Sequence, residues 1–396
     1  MKSTKKLALT GLAVSAAAAI LGSGILSGIA SADPSDQPPY RALQGEGSDT
    51  TEAVMGALSE AITDSSGHKL VASYDALSSA GFQTRASSNC IYQGNPSPGH
   101  PNTTSKASDY VEGYRANGSG NGRNALRDSF IGGTGHPTAG CLDFARSSSY
   151  KASGNGFAAT FIPFAQDAVS FAITNTSVFP RALSLADLKA IYTCQYAGVP
   201  NPDGSQGAPG ANYKALIPQA GSGTRSFWLG VVGLTDDTNA TTGLGVAGSF
   251  PCVSDQTDGG ARGGSKPLEE HKAKYAKNNM IVPVSVAQYI AQSEGTIGDD
   301  RGRAILGAIT DGSNAISYPM QMNNSYGSVS SDSTLNAGVT REVYNVVPTA
   351  NISSGSTLND VFVGSSSKVC SQSGIIAKYG FGLLSNCGSV TETGTS

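Results

Sequence analysis

Charged residues are scarce in this chain of 396 residues, and they are scattered rather than clustered. Only 14% of the residues are charged, and the formal net charge is −3. Proteins that bind nucleic acids or anionic membranes through phosphate groups present a concentrated basic face. The composition therefore argues against a nucleic-acid partner and against an anionic membrane surface.

The motifs of common hydrolases and metalloproteins are also missing. The sequence contains no Gly-x-Ser-x-Gly elbow, no His-Glu-x-x-His helix and no Cys-x-x-Cys pair, and its four histidines lie far apart in the chain. Serine and zinc chemistry use such groupings. We therefore predict that the protein is not an enzyme and that it carries no metal or other cofactor, although a dispersed triad would leave no local signature.

A second long apolar run is absent, so the first one stands out. Three lysines precede an apolar segment from 7 to about 29, and Ala30-Ser31-Ala32 follows as a small-x-small cleavage site. This order is typical of a secretory signal peptide. We therefore predict a signal peptide over 1–32 that is cleaved after Ala32, then a polar leader over 33–39. The mature protein is expected to be extracellular and associated with the cell surface.

The cysteine count fits an exported protein. Six cysteines follow the cleavage site, and an even count in this setting indicates disulfides. Six cysteines allow fifteen pairings, so the sequence does not fix the connectivity. Pairing of neighbours along the chain predicts Cys90–Cys141, Cys194–Cys252 and Cys370–Cys387.

Glycine, in contrast, is abundant, with 50 residues, and several glycines stand with serine or threonine between an apolar stretch and a helical pattern. The first such turn covers 45–51, and similar ones occur at 118–120, 147–149 and 221–224. Strand, glycine turn and capped helix are the building units of an α/β fold, whose ligands lie beyond the carboxyl ends of the strands. Elsewhere, the pattern predicts helices over 184–192 and around 268–278.

A helix that follows such a turn offers a place for an anion. Its first N–H groups lack partners and carry partial positive charge, while glycines allow close approach and hydroxyls add donors. The plain alternative is that Ser222 or Thr224, like Asp49, only caps a helix. Arg225 favours an anion, since a cation in the first turn of a helix is unfavourable without one.

In their order along the chain, these turns resemble the ligand loops of phosphate-binding proteins that serve bacterial ABC importers. The matching stretches are Gly45-Glu46-Gly47-Ser48-Asp49-Thr50-Thr51, Gly118-Ser119-Gly120, Asp143-Phe144-Ala145-Arg146-Ser147-Ser148 and Gly221-Ser222-Gly223-Thr224. The resemblance implies an α/β, two-domain periplasmic-binding-protein type II fold with a ligand cleft between its lobes. We expect residues 40–166 and 300–396 to form lobe 1 and residues 167–299 to form lobe 2.

The resemblance also implies a function, namely capture of inorganic phosphate outside the cell by a monomer that closes about a hinge and delivers the ion to an ABC permease. The ligand-binding residues predicted in this way come from all four turns: Ser48, Asp49, Thr50, Gly118, Ser119, Gly120, Arg146, Ser147, Ser148, Ser222, Gly223, Thr224 and Arg225.

Two positions depart from the family's pattern. Ser148 stands where the family has an aspartate that accepts the proton on phosphate, and Pro218 stands where the family has an arginine. Arg146 and Arg225 are the nearest replacements for the charge, and Asp49 is the nearest acceptor. Without an acceptor, sulfate or another oxyanion stays open as the ligand.

Several plainer readings also stay open. A secreted phosphatase and a surface protein on the same fold are alternatives to a solute receptor. Arg146 alternatively belongs to an ion pair, and Ser119 and Ser148 to ordinary turns.

Overall fold

The structure, a computed structural model, describes residues 33–94, 110–132, 135–152, 157–239, 241–269, 272–310, 316–317, 320–323, 326–329 and 339–395. The predicted signal peptide over 1–32 lies outside the described residues.

The described chain alternates strands and helices. The strands are β1 Leu43–Gly47, β2 Val71–Ser73, β3 Phe82–Gln83, β4 Ile91–Tyr92, β5 Phe144–Ser147, β6 Ala158–Thr174, β7 Ala182–Ser184, β8 Lys214–Leu216, β9 Val253–Ser254, β10 Met280–Ser285, β11 Ala304–Leu306, β12 Ala308–Thr310, β13 Ile316–Ser317, β14 Met320–Asn323, β15 Tyr326–Val329, β16 Thr340–Pro348 and β17 Thr393–Thr395. The helices are α1 Glu52–Ala61, α2 Ser119–Ile131, α3 Leu185–Tyr192, α4 Gly223–Val231, α5 Val286–Ser293, α6 Thr357–Phe362 and α7 Ser373–Lys378. This mixture confirms the α/β prediction.

One long strand, β6, connects the two halves of the main sheet. The strand order is β2-β1-β5-β16-β6-β10-β8-β9. The first part of β6 pairs antiparallel with β16, and its last part pairs antiparallel with β10 and β11. Nearly every one of its 17 residues is buried, as in a strand that is covered on both faces.

Buried apolar side chains form cores around the two ends of this strand. We call the part of the protein around the first end the first lobe and the part around the other end the second lobe. The first lobe contains α1, β1 and the first part of β6, and the second contains α3, α4, β8 and the last part of β6. The predicted division at residues 166 and 300 stays a prediction, and two segments have core contacts that cross it. Val286 and Ile290 of α5 lie in the core of the first lobe, while Ile309 and Val339 lie in that of the second. The chain thus crosses between the lobes more often than the sequence suggests.

Two helix predictions had different outcomes. The helix at 184–192 is confirmed as α3, where Ser184 and Asp187 form a capping box. The helix around 268–278 is wrong for the part described, because only Ala273–Tyr275 forms a 3₁₀ turn there. The backbone of Leu268 is instead bonded to two neighbouring loops, through Asp255 O and Gln219 N. Those contacts take the groups that a helix would have used.

Covalent and ionic links hold the loops to the body. The three predicted disulfides, Cys90–Cys141, Cys194–Cys252 and Cys370–Cys387, are confirmed. The leader at 33–39 is also attached, since Asp36 pairs with Arg41 and Asp33 with Arg115. Within the described part of the chain, we find no helix with the length and hydropathy needed to cross a membrane.

Candidate functional site

The first and third predicted loops meet because their strands are parallel neighbours. β1 pairs with β5, with Gly47 opposite Arg146, so both strands end at the same edge of the sheet. The N–H of Ser48 donates to the carbonyl of Arg146 over 3.1 Å. Ser148, one residue beyond β5, is thereby brought beside the loop that opens α1.

The second and fourth loops meet across the two lobes. The N–H of Gly120, in the first turn of α2, donates to the carbonyl of Gly221 over 3.0 Å. Gly118, which precedes α2, has φ +96°, and a Cβ there would lie 2.5 Å from the same carbonyl oxygen. Only glycine permits both the backbone conformation and this approach.

Five buried hydroxyl groups converge where these loops meet, and we call them the hydroxyl cluster: Ser48, Thr50, Ser119, Ser148 and Thr224. The Oγ of Ser148 lies 3.1 Å from Ser48 Oγ, 3.1 Å from Thr50 Oγ1 and 3.2 Å from Ser119 Oγ. Thr50 Oγ1 lies 3.5 Å from Thr224 Oγ1 in the second lobe. Each side chain is at most 1% exposed. Four segments that are remote in sequence therefore place hydroxyls in one buried spot.

The first residue of α4 closes this cluster from the second lobe. A Cβ on Gly223 would lie 2.3 Å from Ser119 Oγ and 2.3 Å from Ser148 Oγ, so the absence of a side chain lets the helix start approach them. Ser222 is the N-cap, and its Oγ accepts from the N–H of Arg225. Helices α1, α2 and α4 all begin at the cluster, so three partial positive charges face it.

Arg341 is the cation that touches the cluster, and the sequence analysis missed it. Its Nη2 donates to Thr224 Oγ1 over 2.6 Å, and its side chain is 3% exposed. Its Nη1 is buried and has no hydrogen-bond partner among the described residues. The residue lies on β16, remote in sequence from every predicted loop, and no local motif marks it.

Asp167 holds the Arg341 guanidinium in place. It lies opposite Arg341 in the pairing of β6 with β16, and its Oδ2 accepts from Nε at 3.0 Å and from Nη2 at 2.8 Å. Its Oδ1 accepts from Ser285 Oγ and from the N–H of Ala287 at the start of α5. The completely buried carboxylate is thus fully bonded, and it fixes the arginine at the connecting strand.

The guanidinium of Arg225 bonds to groups other than the cluster hydroxyls. Its Nε and Nη2 donate to Asp236, and its Nη1 donates to Asp255 Oδ2 over 3.3 Å. The same Nη1 also donates to the carbonyl of Pro218 over 3.0 Å. Two carboxylates therefore neutralise this guanidinium within the second lobe.

Arg146 supports the first loop from behind. Its Nε donates to the carbonyl of Ser48 over 3.0 Å, and its Nη1 donates to Ser73 Oγ and to the carbonyl of Tyr74, both over 2.7 Å. Burial lowers the pKa of this guanidinium, while Glu52, whose Oε2 lies 3.9 Å from Nη2, opposes the shift. The plainer reading of Arg146 as a surface ion-pair residue is wrong, because the residue is completely buried and its Nη2 has no hydrogen-bond partner among the described residues.

Two acids flank the same loop, the completely buried Glu46 and the partly exposed Glu52. Burial raises the pKa of Glu46 to about 7. The N–H of Ala116, which donates to Oε2 of Glu46, acts in the opposite direction and lowers the pKa. Burial and the nearby Asp75 raise the pKa of Glu52 to about 7. Neither Glu46 nor Glu52 is among the predicted ligand residues, and both lie next to the loop of Ser48.

The remaining predicted residues lie at the edge of the cluster. Ser147 Oγ accepts from Arg123 Nη1 over 3.0 Å and donates to the carbonyl of Ser149, so it faces away from Ser148. Burial lowers the pKa of Arg123 to about 10. Asp49 is 6% exposed and lies in the turn before α1, where its carbonyl accepts from the N–H of Glu52.

One group of three described residues has the composition of a metal site. Glu112, Asp128 and His136 have ligand atoms within 4.8 Å of one another. Their oxygens already accept bonds: Asp128 from Tyr110 and Arg127, and Glu112 from Thr138. This polar group has its own protein donors, and the prediction of no metal stays a prediction.

Comparison with known proteins adds the following. The sequence matches no protein-family model and no curated protein. Among solved structures, an ABC-type phosphate transport receptor from Vibrio cholerae is similar, with 13% identity and a TM-score of 0.46 over 86% of this chain and 100% of that chain. A proposed phosphate ABC transporter substrate-binding protein from Clostridium perfringens, solved with phosphate, is 14% identical, with a TM-score of 0.45 over 86% and 99%. At these low identities and TM-scores, the likeness to either structure carries no argument about function.

Proposed function

We propose that this protein is an extracellular solute receptor that captures inorganic phosphate at the hydroxyl cluster, within a two-lobed periplasmic-binding-protein type II fold. The observation that carries the proposal is the meeting of five buried hydroxyls, from four separate loops and both lobes, beside Arg341. An ABC permease is the proposed recipient of the ion, in keeping with the family resemblance of the loops.

The chemistry of the anion explains why such a cluster suits it. A small, doubly charged oxyanion holds its water tightly, so a site must replace many hydrogen bonds at once. The five hydroxyl oxygens now lie 3.1 to 3.5 Å apart, so an ion enters when the two lobes separate. Hydroxyls rotate freely, and these five can then turn their protons toward the bound oxyanion. The three helix starts add fixed partial charge, and Arg341 adds a full one.

Binding, rather than catalysis, fits the described side chains. The two described histidines are bonded to carboxylates, His68 to Asp64 and His136 to Glu112. His100 and His271 lie outside the described residues. A serine nucleophile needs a base within hydrogen-bond reach, whereas the bonds of Ser148 run to other hydroxyls. We therefore propose a receptor and not a phosphatase.

The three disulfides support the proposed extracellular location, since such bonds persist where the surroundings are oxidising. We propose that the predicted signal peptide directs the export.

Equilibrium dialysis of the mature protein against labelled phosphate tests this proposal. Thr224→Val keeps the shape of the side chain and removes a cluster hydroxyl, so we expect an affinity loss of about tenfold. Thr193→Val is the matched control, because the Thr193 hydroxyl bonds only within the end of α3. Absence of phosphate binding by the unmodified protein would overturn the proposal.

Sulfate is the second candidate ligand, favoured by one observation. The centre of the cluster is the hydroxyl of Ser148, which can donate to an anion that has no proton to share. In the same dialysis, sulfate that displaces labelled phosphate at equal concentration would assign the site to oxyanions in general. Phosphate that resists a hundredfold excess of sulfate would indicate an acceptor.

We propose Asp49 as that acceptor, because it lies in the same turn as Ser48 and Thr50. Its ionised carboxylate would accept the proton of monobasic or dibasic phosphate. Asp49→Asn should then alter the change in phosphate affinity between pH 6 and pH 8. A variant with the wild-type pH profile would show that Asp49 is not the acceptor.

A further inference from the structure

A cavity of about 320 Å³ lies between the lobes, directly beside Arg341. Its walls follow the cluster residues along the chain: Ser149 and Tyr150 come after Ser148, and Ser226 and Phe227 come shortly after Thr224. Arg341 joins the two places, because it lines the cavity and its Nη2 donates to Thr224 Oγ1 of the cluster over 2.6 Å.

The lobes are already in contact at the loops that form the hydroxyl cluster. Gly120 N lies 3.0 Å from Gly221 O, and Thr50 Oγ1 lies 3.5 Å from Thr224 Oγ1. A receptor for a bare ion gains most when its lobes exclude all other space around the ion, because leftover water weakens its bonds. The volume left here reaches the lower end of the roughly 300–1,000 Å³ that pockets for organic ligands occupy.

Aromatic rings form much of the wall. Tyr150 and Tyr344 have ring centroids 6.4 Å apart, and the Arg341 guanidinium lies 5.5 Å from the centre of the Phe227 ring. Such rings give a large apolar contact area at little cost in side-chain entropy. They offer nothing to an inorganic ion, but they suit the carbon skeleton of an organic one.

The charges around the cavity restrict that skeleton further. Glu342 lines the cavity, and Glu342 and Glu392 both act on Tyr344, where with burial they raise the pKa of its phenol. A second anionic group in the ligand would be repelled by the Glu342 carboxylate. A neutral or cationic substituent would not be repelled.

From these features we infer that the site takes a phosphate monoester with a neutral or cationic organic substituent, the phosphate group at the hydroxyl cluster and Arg341, and the substituent in the aromatic cavity. The inference rests on the proposed function and names a ligand class for the same site. Arg341, with its unpartnered Nη1 and its contact to Thr224, serves both parts of the ligand.

Calorimetric titration with phenyl phosphate, inorganic phosphate and 4-carboxyphenyl phosphate tests the inference. We expect phenyl phosphate to bind about tenfold more tightly than inorganic phosphate, because the buried ring adds apolar contact. The carboxylated ester should bind more weakly than phenyl phosphate. Equal binding of the two esters, or inorganic phosphate as the tightest ligand, would overturn the inference and leave the proposed function intact.

Ser226→Phe separates the cavity from the anion site. Ser226 is exposed on α4 and lines the cavity, so a larger side chain there should fill the space without disturbing a buried group. We expect phenyl phosphate to lose at least tenfold in affinity while inorganic phosphate changes less than about threefold. Tyr275→Ala, which removes an aromatic side chain elsewhere on the surface, is the control. Failure of the unmodified protein to bind any of the three ligands would overturn the proposed function and this inference together.

Discussion

Two arginines contact the fourth loop at 221–224, and their hydrogen-bond partners differ. Arg225 belongs to the loop itself, yet two carboxylates and a carbonyl of the second lobe take its donors. Arg341 comes from a strand remote in sequence, and it meets one carboxylate, one cluster hydroxyl and, at Nη1, nothing among the described residues. The comparison teaches that an arginine is available to a ligand when its own partners leave part of its fork unused.

The largest expected effect comes from removal of the Arg341 charge. Arg341→Met alone would leave Asp167 buried without its cation, so the test uses the double variant Asp167→Asn, Arg341→Met. We expect phosphate affinity to fall at least about 100-fold, as when a buried charge contact to a ligand is lost. Calorimetric titration measures it.

The matched control for that variant is Asp299→Asn, Arg301→Met, which removes an ion pair on the surface. It should bind phosphate like the unmodified protein. An equal loss in both double variants would mean that Arg341 has no special part in binding.

Glu46 extends the comparison to a buried carboxylate, because no arginine bonds to its oxygens. Its folded-state pKa of about 7 exceeds the ordinary glutamate pKa of 4.5, so between these values the folded protein binds more protons than the unfolded chain. Stability therefore falls as the pH rises through this window. Glu46→Gln should remove up to about 3 kcal/mol of that fall between pH 5 and pH 8.

Thermal unfolding at the two pH values measures this difference. The exposed Glu294→Gln is the control and should change stability equally at both. If Glu46→Gln shifts the unfolding temperature by the same amount at pH 5 and pH 8, the raised pKa is contradicted.

Arg225→Met should affect stability more than binding. The change removes the cation that pairs with Asp255, a nearly buried carboxylate. We therefore expect a loss of about 2 kcal/mol in the free energy of unfolding. Phosphate affinity, measured by titration below the unfolding temperature, should change less than about threefold. A loss of binding equal to that in the Arg341 variant would restore Arg225 as a ligand residue.

Gly223→Ala is expected to have the smallest effect, and it acts on the geometry of the cluster. Gly223 is the first residue of α4, so the preference of helix interiors for alanine over glycine does not apply to it. The new Cβ, however, would lie 2.3 Å from Ser119 Oγ and Ser148 Oγ, which must turn away. We expect about tenfold weaker phosphate binding and a loss of roughly 1 kcal/mol in the free energy of unfolding, because buried groups must move. Gly230→Ala is the control, because a Cβ there meets no atom within 4 Å.

Local patterns were the most informative part of the sequence. The α/β class, the capping box of α3 and the start of α4 after Ser222 depend on neighbours within one turn of chain, and all three appear in the structure. The same holds for the hydroxyls of the cluster, which stand within three residues of the end of β1 or β5, or in the first turn of a helix. Parallel strands end at one edge of a sheet, so such residues approach one another almost by rule.

Other features depended on partners that no local pattern reveals. The pattern around 268–278 is helical, but neighbouring loops engage the backbone of Leu268. Arg225 looked suited to an anion, and Asp236 supplies a protein carboxylate instead. In both cases a long-range contact outweighs a local preference of roughly 1 kcal/mol or less.

The sequence by itself determined the hydroxyl-bearing turns, the helices that they open and the even set of cysteines, because each of these is a property of adjacent residues or of composition. Only the tertiary structure decided which arginine reaches the cluster. Arg341 meets Asp167 across a separation of 174 residues through the register of two antiparallel strands. That register is set by burial of both faces of β6 along its whole length, which no short stretch of the chain encodes.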